Sequence, residues 1–209
     1  LNERLPAAYI SMGTTAENVA KKYGISRQEQ EACAVESQAK ATSARQAGKL
    51  QDEITPIQSG KDTVVSDGCI REGTTLEALA GLKPAFDEHG VVPAGTASPL
   101  TDGAAACLVV SADYAKAHGL RPLAKVKSIA VAGCAPEIMG IGPVAATQKA
   151  LKRAGLSIDE MDVIELNEAF ASQALACMRG LKIDPKKVNL DGGAIALGHP
   201  LGATGARII

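Results

Sequence analysis

Apolar residues in the first fifty positions recur every three or four places, the period of an amphipathic helix. Thr14 and Glu17 have the T-x-x-E spacing of a capping box, and Ala16, Val19, Ala20 and Tyr23 follow on one face. Gly24 is read as the stop of this helix. Ser26 and Glu29 form a second box that opens a long Ala/Gln-rich helix ending at Gly48. Residues 52–57 (DEITPI) read as a short strand. Residues 58–70, polar with Gly60 and Gly68, read as turns. Thr74 and Glu77 make a third box before the short helix LEALAGL, and Pro84 lies just beyond it. Residues 87–101 read as irregular.

The texture changes at Thr101. Residues 102–111 (DGAAACLVVS) are small and then continuously apolar, which predicts a helical turn running into a buried strand. Residues 112–119 predict a helix ending at Gly119. Strands are predicted at 124–133, 161–167 and 188–197, the last interrupted by two glycines. Helices are predicted at 144–155 and 168–181, and another begins at 202. This alternation predicts an α/β architecture, a parallel sheet with helices packed on it. Such sheets bind ligands at the carboxyl ends of their strands. The chain therefore divides into a loop-rich helical segment, 1–100, and an α/β segment, 101–209.

Composition narrows the picture. The 209 residues are 46% hydrophobic but hold only three Tyr, two Phe and no Trp. The core must be built from Ala, Val, Leu and Ile. A formal net charge of -1 gives no electrostatic footprint for nucleic acid or an anionic membrane. The five cysteines, Cys33, Cys69, Cys107, Cys134 and Cys177, show no C-x-x-C pair and no metal-ligand spacing with histidine. A scattered, odd set fits a reducing compartment. No apolar run reaches the length of a membrane span, and Leu1–Pro6 lacks the apolar stretch of a signal peptide. Both ends read as cut, since the chain starts without Met and ends on GARII. A bacterial-like cytoplasmic location is expected, with an organellar signal upstream left open.

Three segments fall at predicted strand ends: MGIGP (139–143), NEAF (167–170) and GGAIALGHPLGATGAR (192–207). The last has five glycines in sixteen residues and one histidine, His199. Glycines allow positive φ and close backbone approach. Histidine is the side chain most easily tuned for proton transfer near neutral pH. On chemistry alone, His199 is equally open as a structural turn residue. His89 and His118 sit at ordinary helix-end or turn positions. Asn167 reads as a helix N-cap that could also hold a water or a substrate oxygen. Glu168 reads as a first-turn acid suited to the helix dipole. Phe170 reads as core or as a pocket wall. The glycine spacing is neither G-x-G-x-x-G nor a P-loop, so a nucleotide-hydrolase reading is poor.

NEAFASQ followed by VNLDGGAIALGHPLGATGAR closely resembles the thiolase family. SMGTTAENVAKKYGISRQEQEACAVESQAKA, IREGTTLEALAGLKPAF, AGTASPLTDGAAA and PEIMGIGP extend the resemblance over essentially the whole chain, in the expected order. The resemblance implies the thiolase fold, two similar α/β halves with a loop domain inserted in the first. Residues 1–118 would be the end of the first half, with 1–100 the loop domain and 101–118 the closing elements. Residues 119–209 would be most of the second half.

It also implies thiolytic cleavage of a 3-ketoacyl-CoA, or the reverse Claisen condensation. Coenzyme A is a substrate, and no metal or further cofactor is implied. A cysteine nucleophile takes the acyl group as a thioester, and a second cysteine moves the α-proton. Two oxyanion holes stabilise the charge on thioester oxygens. Carried over by position, His199 matches the histidine that activates the nucleophile and donates to one oxyanion hole. Asn167 matches the residue holding that hole's water. Met12, Arg71, Ala94, Gly95, Ser98, Ala169 and Phe170 match positions lining the CoA and pantetheine site, and Met139 an acyl-pocket residue.

Two departures accompany the match. The motif of the nucleophilic cysteine is expected upstream of Leu1 and that of the acid–base cysteine downstream of Ile209, so the five cysteines are read as structural. Ser11 stands where biosynthetic relatives often have His. The implied role is a degradative 3-ketoacyl-CoA thiolase of fatty-acid β-oxidation, with acetoacetyl-CoA thiolase the rival. A non-catalytic CoA-binding or assembly fragment is the alternative of another class. Residues 1–209 by themselves are expected to be inactive. The resemblance further implies a homodimer or homotetramer, with a β-oxidation multienzyme complex as a further partner.

Overall fold

The computed structural model describes residues 3–209. Two long helices open the chain, α1 (Met12–Tyr23) and α2 (Arg27–Gln46). Ser11, not Thr14, caps α1: its hydroxyl accepts from the Thr14 N–H at 3.1 Å. Glu17 is thereby free to reach out of the helix and accept from the N–H groups of Val91 and Val92. The predicted Ser26–Glu29 box is present, with both reciprocal bonds made. Gly24 ends α1 in the left-handed region, φ 62°.

Residues 51–53 form a 3-10 turn, and the strand predicted at 52–57 begins only at its last residue. Strand β1 (Ile57–Ser59) pairs antiparallel with β2 (Asp62–Val64) around Gly60 and Lys61. Helix α3 (Leu76–Ala80) is capped by Thr75, one residue later than predicted.

Helices α4 (Ala112–Ala117), α5 (Gly142–Ala154) and α6 (Ala171–Leu181) follow near their predicted places, and Gly155 ends α5 at φ 68°. The predicted strand 188–197 is different: its second half is the short helix α7 (Ala194–Leu197), entered through Gly192 at φ 92°. Helix α8 (Thr204–Arg207) closes the chain.

The predicted strands 102–111, 124–133 and 161–167 are not paired into a sheet among the described residues. A strand exists only through a neighbour's hydrogen bonds. Segment 124–133 instead lies along α5, tied by Ser128 Oγ to Ala150 O and by Lys149 and Arg153 to the carbonyls of Val131 and Ile129. Val131 keeps 82% of its surface exposed, and Leu108 and Val109 also face outward. One parallel rung is formed, Ile164 with Val188: Ile164 N–H donates to Lys187 O at 2.8 Å and Asn189 N–H to Ile164 O at 3.0 Å. That rung sets the end of segment 161–167 beside the start of the glycine-rich loop.

The core is built from small residues, as the composition requires. Val19, Ala20, Ile25, Ile138 and Ala176 join α1 to α6. Ala34, Leu79, Ala171 and Ile195 join α2, α3, α6 and α7. Alanine at these contacts lets helix backbones approach closely. Helix α2 is the central element, and its buried Gln30, Glu31, Ser37 and Gln38 place hydrogen-bonding groups inside the molecule. Among the described residues, no helix is long and apolar enough to cross a membrane.

Candidate active site

The glycine-rich loop is held by its backbone. Gly192 has φ 92° and packs so tightly on α2 that an added Cβ would lie 2.6 Å from Ala41 Cβ. Gly198 also has φ 92°, and an added Cβ there would lie 2.7 Å from the Thr101 side chain. The loop therefore needs glycine at both points, for conformation and for space. It then delivers His199, whose own N–H donates to Thr101 Oγ1 at 3.2 Å.

The half-buried His199 ring is fixed from both sides. Nδ1 lies 2.8 Å from Thr204 Oγ1, and that hydroxyl donates to Pro200 O at 3.0 Å. A hydroxyl has one proton to give. With that proton on Pro200 O, Thr204 must accept from Nδ1–H, which assigns the lone pair of neutral His199 to Nε2. Nε2 faces Asn167 Nδ2 at 3.4 Å. Burial, and then the nearby Arg207 charge, hold the imidazole below its ordinary pKa. His199 is thus a neutral base at pH 7 with its lone pair on a defined nitrogen.

Asn167 is not the N-cap of α6; that position is Phe170. The Asn167 amide is committed to the site instead. Its Oδ1 is buried with no hydrogen-bond partner among the described residues. A buried acceptor of this kind calls for a donor, and a water or ligand group would supply one. Glu168 likewise lies before the helix rather than in its first turn, and its carboxylate is buried among Ser37, Asn189 and Ile195.

The other predicted site residues fall into groups. Ser98, Ala169 and Phe170 are together: the N–H and hydroxyl of Ser98 both donate to Ala169 O, at 3.0 and 3.2 Å, and Ala97 bridges Phe170. Ala94 and Gly95 form the 3-10 turn just before them, and Gly95 lies against Leu79 and Leu82 with no room for a Cβ. Phe86, not singled out in the sequence, packs edge-on to Phe170 with ring centroids 5.7 Å apart. It also covers Gly13, so Met12 at the start of α1 borders the same face. Arg71 stands apart, beside a cleft of about 320 Å³ lined also by Gln38, Thr42 and Thr74. Its backbone N–H donates to Gln38 Oε1 at 2.7 Å, and Gln38 Nε2 donates to Ile195 O at 3.2 Å, so Arg71 is linked to the glycine loop through one side chain. Met139 is exposed on the turn 136–141, which packs on α1.

No cysteine is hydrogen-bonded to the His199 ring nitrogens, whose partners are Asn167 and Thr204. Burial pushes the thiols of Cys33 and Cys177 up, the latter to about 11. Cys107 and Cys134 are exposed, and Cys69 is half-buried beside Thr101. Among the described residues no group of three His, Cys, Asp or Glu side chains could hold a metal.

Comparison with known proteins defines the class. Residues 6–113 match the family model "Thiolase, N-terminal domain" and residues 120–209 match "Thiolase, C-terminal domain". The chain belongs to the thiolase family. It is 54% identical over 202 residues to an acetyl-CoA acetyltransferase of Paracoccus denitrificans, covering 95% of this chain and 52% of that protein. It is 52% identical over 217 residues to a 3-ketoacyl-CoA thiolase of Idiomarina loihiensis, covering 100% of this chain and 56% of that protein. The crystal structure of human mitochondrial 3-ketoacyl-CoA thiolase in complex with CoA superposes with a TM-score of 0.89 at 47% identity, covering 95% of this chain and 50% of that one. The fold is therefore the thiolase fold, and the chain spans about half the length of the curated relatives it matches.

Proposed function

We propose that the protein containing these residues is a thiolase that cleaves 3-ketoacyl-CoA with CoA, and that His199 is its nucleophile-activating base. The observation that carries this reading is the His199 ring: neutral, with Nδ1–H committed to Thr204 and Nε2 aimed at Asn167. Nε2 takes a proton from an approaching thiol. Once protonated, the same nitrogen donates to the oxygen on which charge develops. Asn167, with its unpaired Oδ1, orients the water that completes that oxyanion hole.

Met12, Arg71, Ala94, Gly95, Ser98, Ala169 and Phe170 line the path of CoA in this reading. The face made by Phe86, Phe170 and the Ser98–Ala169 pair suits a narrow pantetheine arm, and Arg71 supplies a cation for a CoA phosphate. Met139 borders the acyl chain. A division at 118/119, between the closing part of the first half and most of the second, is supported by the separate N- and C-terminal matches.

The degradative role in β-oxidation rests on GTAS and AGCAPEIMGIGP, and on 3-ketoacyl-CoA thiolases among the relatives. Relatives named acetyl-CoA acetyltransferase favour the short-chain reading equally in identity. The deciding experiment measures kcat/KM of the complete protein on acetoacetyl-CoA and on a long-chain 3-ketoacyl-CoA. Cleavage of both supports the degradative role, and no turnover of the long-chain substrate overturns it. Residues 1–209 expressed alone should not cleave acetoacetyl-CoA, because no cysteine sulfur is hydrogen-bonded to the His199 ring; measurable cleavage would contradict this.

A further inference from the structure

The roles given to Asn167 and His199 leave the neighbouring carboxylate without one. Glu168 keeps only 6% of its surface exposed. Its Oε2 accepts from the Ser37 hydroxyl at 2.6 Å and from the Ile195 N–H at 3.2 Å, and its Oε1 accepts from Asn189 Nδ2 at 2.9 Å. Ser37 Oγ in turn accepts from the Gly193 N–H at 3.0 Å. A Cβ on Gly193 would fall onto the carboxyl group, so glycine is what lets the loop close over it.

Three pieces of chain therefore meet on one carboxylate. Ser37 brings α2. Gly193 and Ile195 bring the loop that reaches His199 four residues later. Asn189, itself at φ 46°, brings the end of segment 161–167: its Oδ1 accepts from the Leu166 N–H at 2.8 Å and its Nδ2 donates to Leu166 O at 2.8 Å. Leu166 immediately precedes Asn167.

We infer that Glu168 is a positioning residue that sets the separation of Asn167 and His199 through Ser37, Asn189 and Ile195. Its purpose rests on the thiolase reading; its geometry does not. A general-base role does not fit, because three donors occupy its two oxygens and none belongs to His199 or Asn167. Burial outweighs these three bonds and the Lys40 charge and raises the Glu168 carboxyl above its ordinary value. A raised folded-state value means that ionisation costs stability as pH rises. The carboxylate is held in place at that cost.

The test reads His199 directly. In the complete protein uniformly labelled with 15N, with His199 assigned by a His199→Gln control, the imidazole titration and the exchange of the Gly193 and Ile195 amides are followed in Glu168→Gln and Ser37→Ala. The amide introduced by Glu168→Gln must set its NH2 against donors on one arm, so at least one anchor breaks. The two loop amides should exchange about tenfold faster while those of α5 are unchanged. The His199 midpoint should rise toward its ordinary value, because the ring loses burial and Glu168 is not among the charges that shift it. A fall of about tenfold in kcat with KM nearly constant should accompany this.

An unchanged midpoint with unchanged exchange overturns the inference. If Glu168→Gln does not fold, Ser37→Ala decides. It keeps the carboxylate and removes the Ser37 bond to Glu168 together with the link to Gly193, so an unaltered His199 midpoint and Gly193 exchange again overturn it. Absence of any thiolysis in the complete protein would sink the thiolase reading, and the NMR result would still decide the clamp.

Discussion

Asn167 Nδ2 faces His199 Nε2 at 3.4 Å, and the two residues come from segments joined by the parallel rung between Ile164 and Val188. The pair is a product of backbone placement, since neither side chain sits in a regular element. Replacing Asn167 by Ala should remove one orienting amide and leave the His199 base intact. A loss of about 10²–10³ in kcat is expected, with a small change in KM. Steady-state kinetics of the complete protein on acetoacetyl-CoA would check it; a change confined to KM would place Asn167 in substrate binding instead.

The pH dependence follows from the His199 environment. Its folded-state pKa lies below the ordinary value, first through burial and then through Arg207. The base form is therefore populated across neutral pH. The acid limb of kcat/KM assigned to His199 should fall at a pH below that of an ordinary histidine, and Arg207→Gln should move it upward. The stability sign is the same. A histidine depressed in the folded state binds more protons when unfolded, so its contribution is fully present above the unfolded value near 6.5 and is lost as pH falls through the folded value. A limb that rises in Arg207→Gln supports this; one that stays fixed excludes Arg207 as a cause.

Much of this site could be read in the sequence, and the reason is local. Five glycines around one histidine mark a loop that needs positive φ and close approach, and Gly192 and Gly198 both sit at φ 92°. Helix periodicity and the Ser26–Glu29 box were sufficient for α1, α2, α5 and α6, because those signals live within a few residues. The strands failed for the opposite reason. Apolar runs such as 102–111 and 124–133 specify burial, while strand formation depends on a partner that periodicity cannot supply. The contacts of Thr101, Thr204, Phe86 and Glu168 were equally invisible, since each reaches the site through pairings across the fold or through one loop's own geometry. Thr14 and Thr74 show the limit of motif spacing: the competing caps Ser11 and Thr75 were within three residues.

Gly192→Ala should destabilise the protein. The φ of 92° disfavours a side chain, and the Cβ would meet Ala41 at 2.6 Å, backbone and side chain together. Overpacking of this kind costs about 1–3 kcal/mol. Urea denaturation would measure it. A variant as stable as the parent would show that α2 and the loop can separate without penalty.

Ser26→Ala removes the side-chain half of the capping box at the start of α2. A loss of about 1 kcal/mol is expected. The bonds from Ser26, with Arg179 opposite, also hold the Glu29 carboxyl below its ordinary value. The Glu29 contribution is thus present above the unfolded value and lost as pH falls through the folded one. The stability gap between parent and Ser26→Ala should narrow in acid; a gap independent of pH would show that the box works through the hydroxyl alone.

Whether His199 serves thiolase chemistry is tested most directly by CoA-dependent cleavage of acetoacetyl-CoA by the complete protein, beside its His199→Ala variant. Thiolysis by the parent with a loss of about 10²–10⁴ in kcat for the variant is the predicted result. Equal turnover by the two proteins, or no cleavage of any 3-ketoacyl-CoA by the parent, would contradict it.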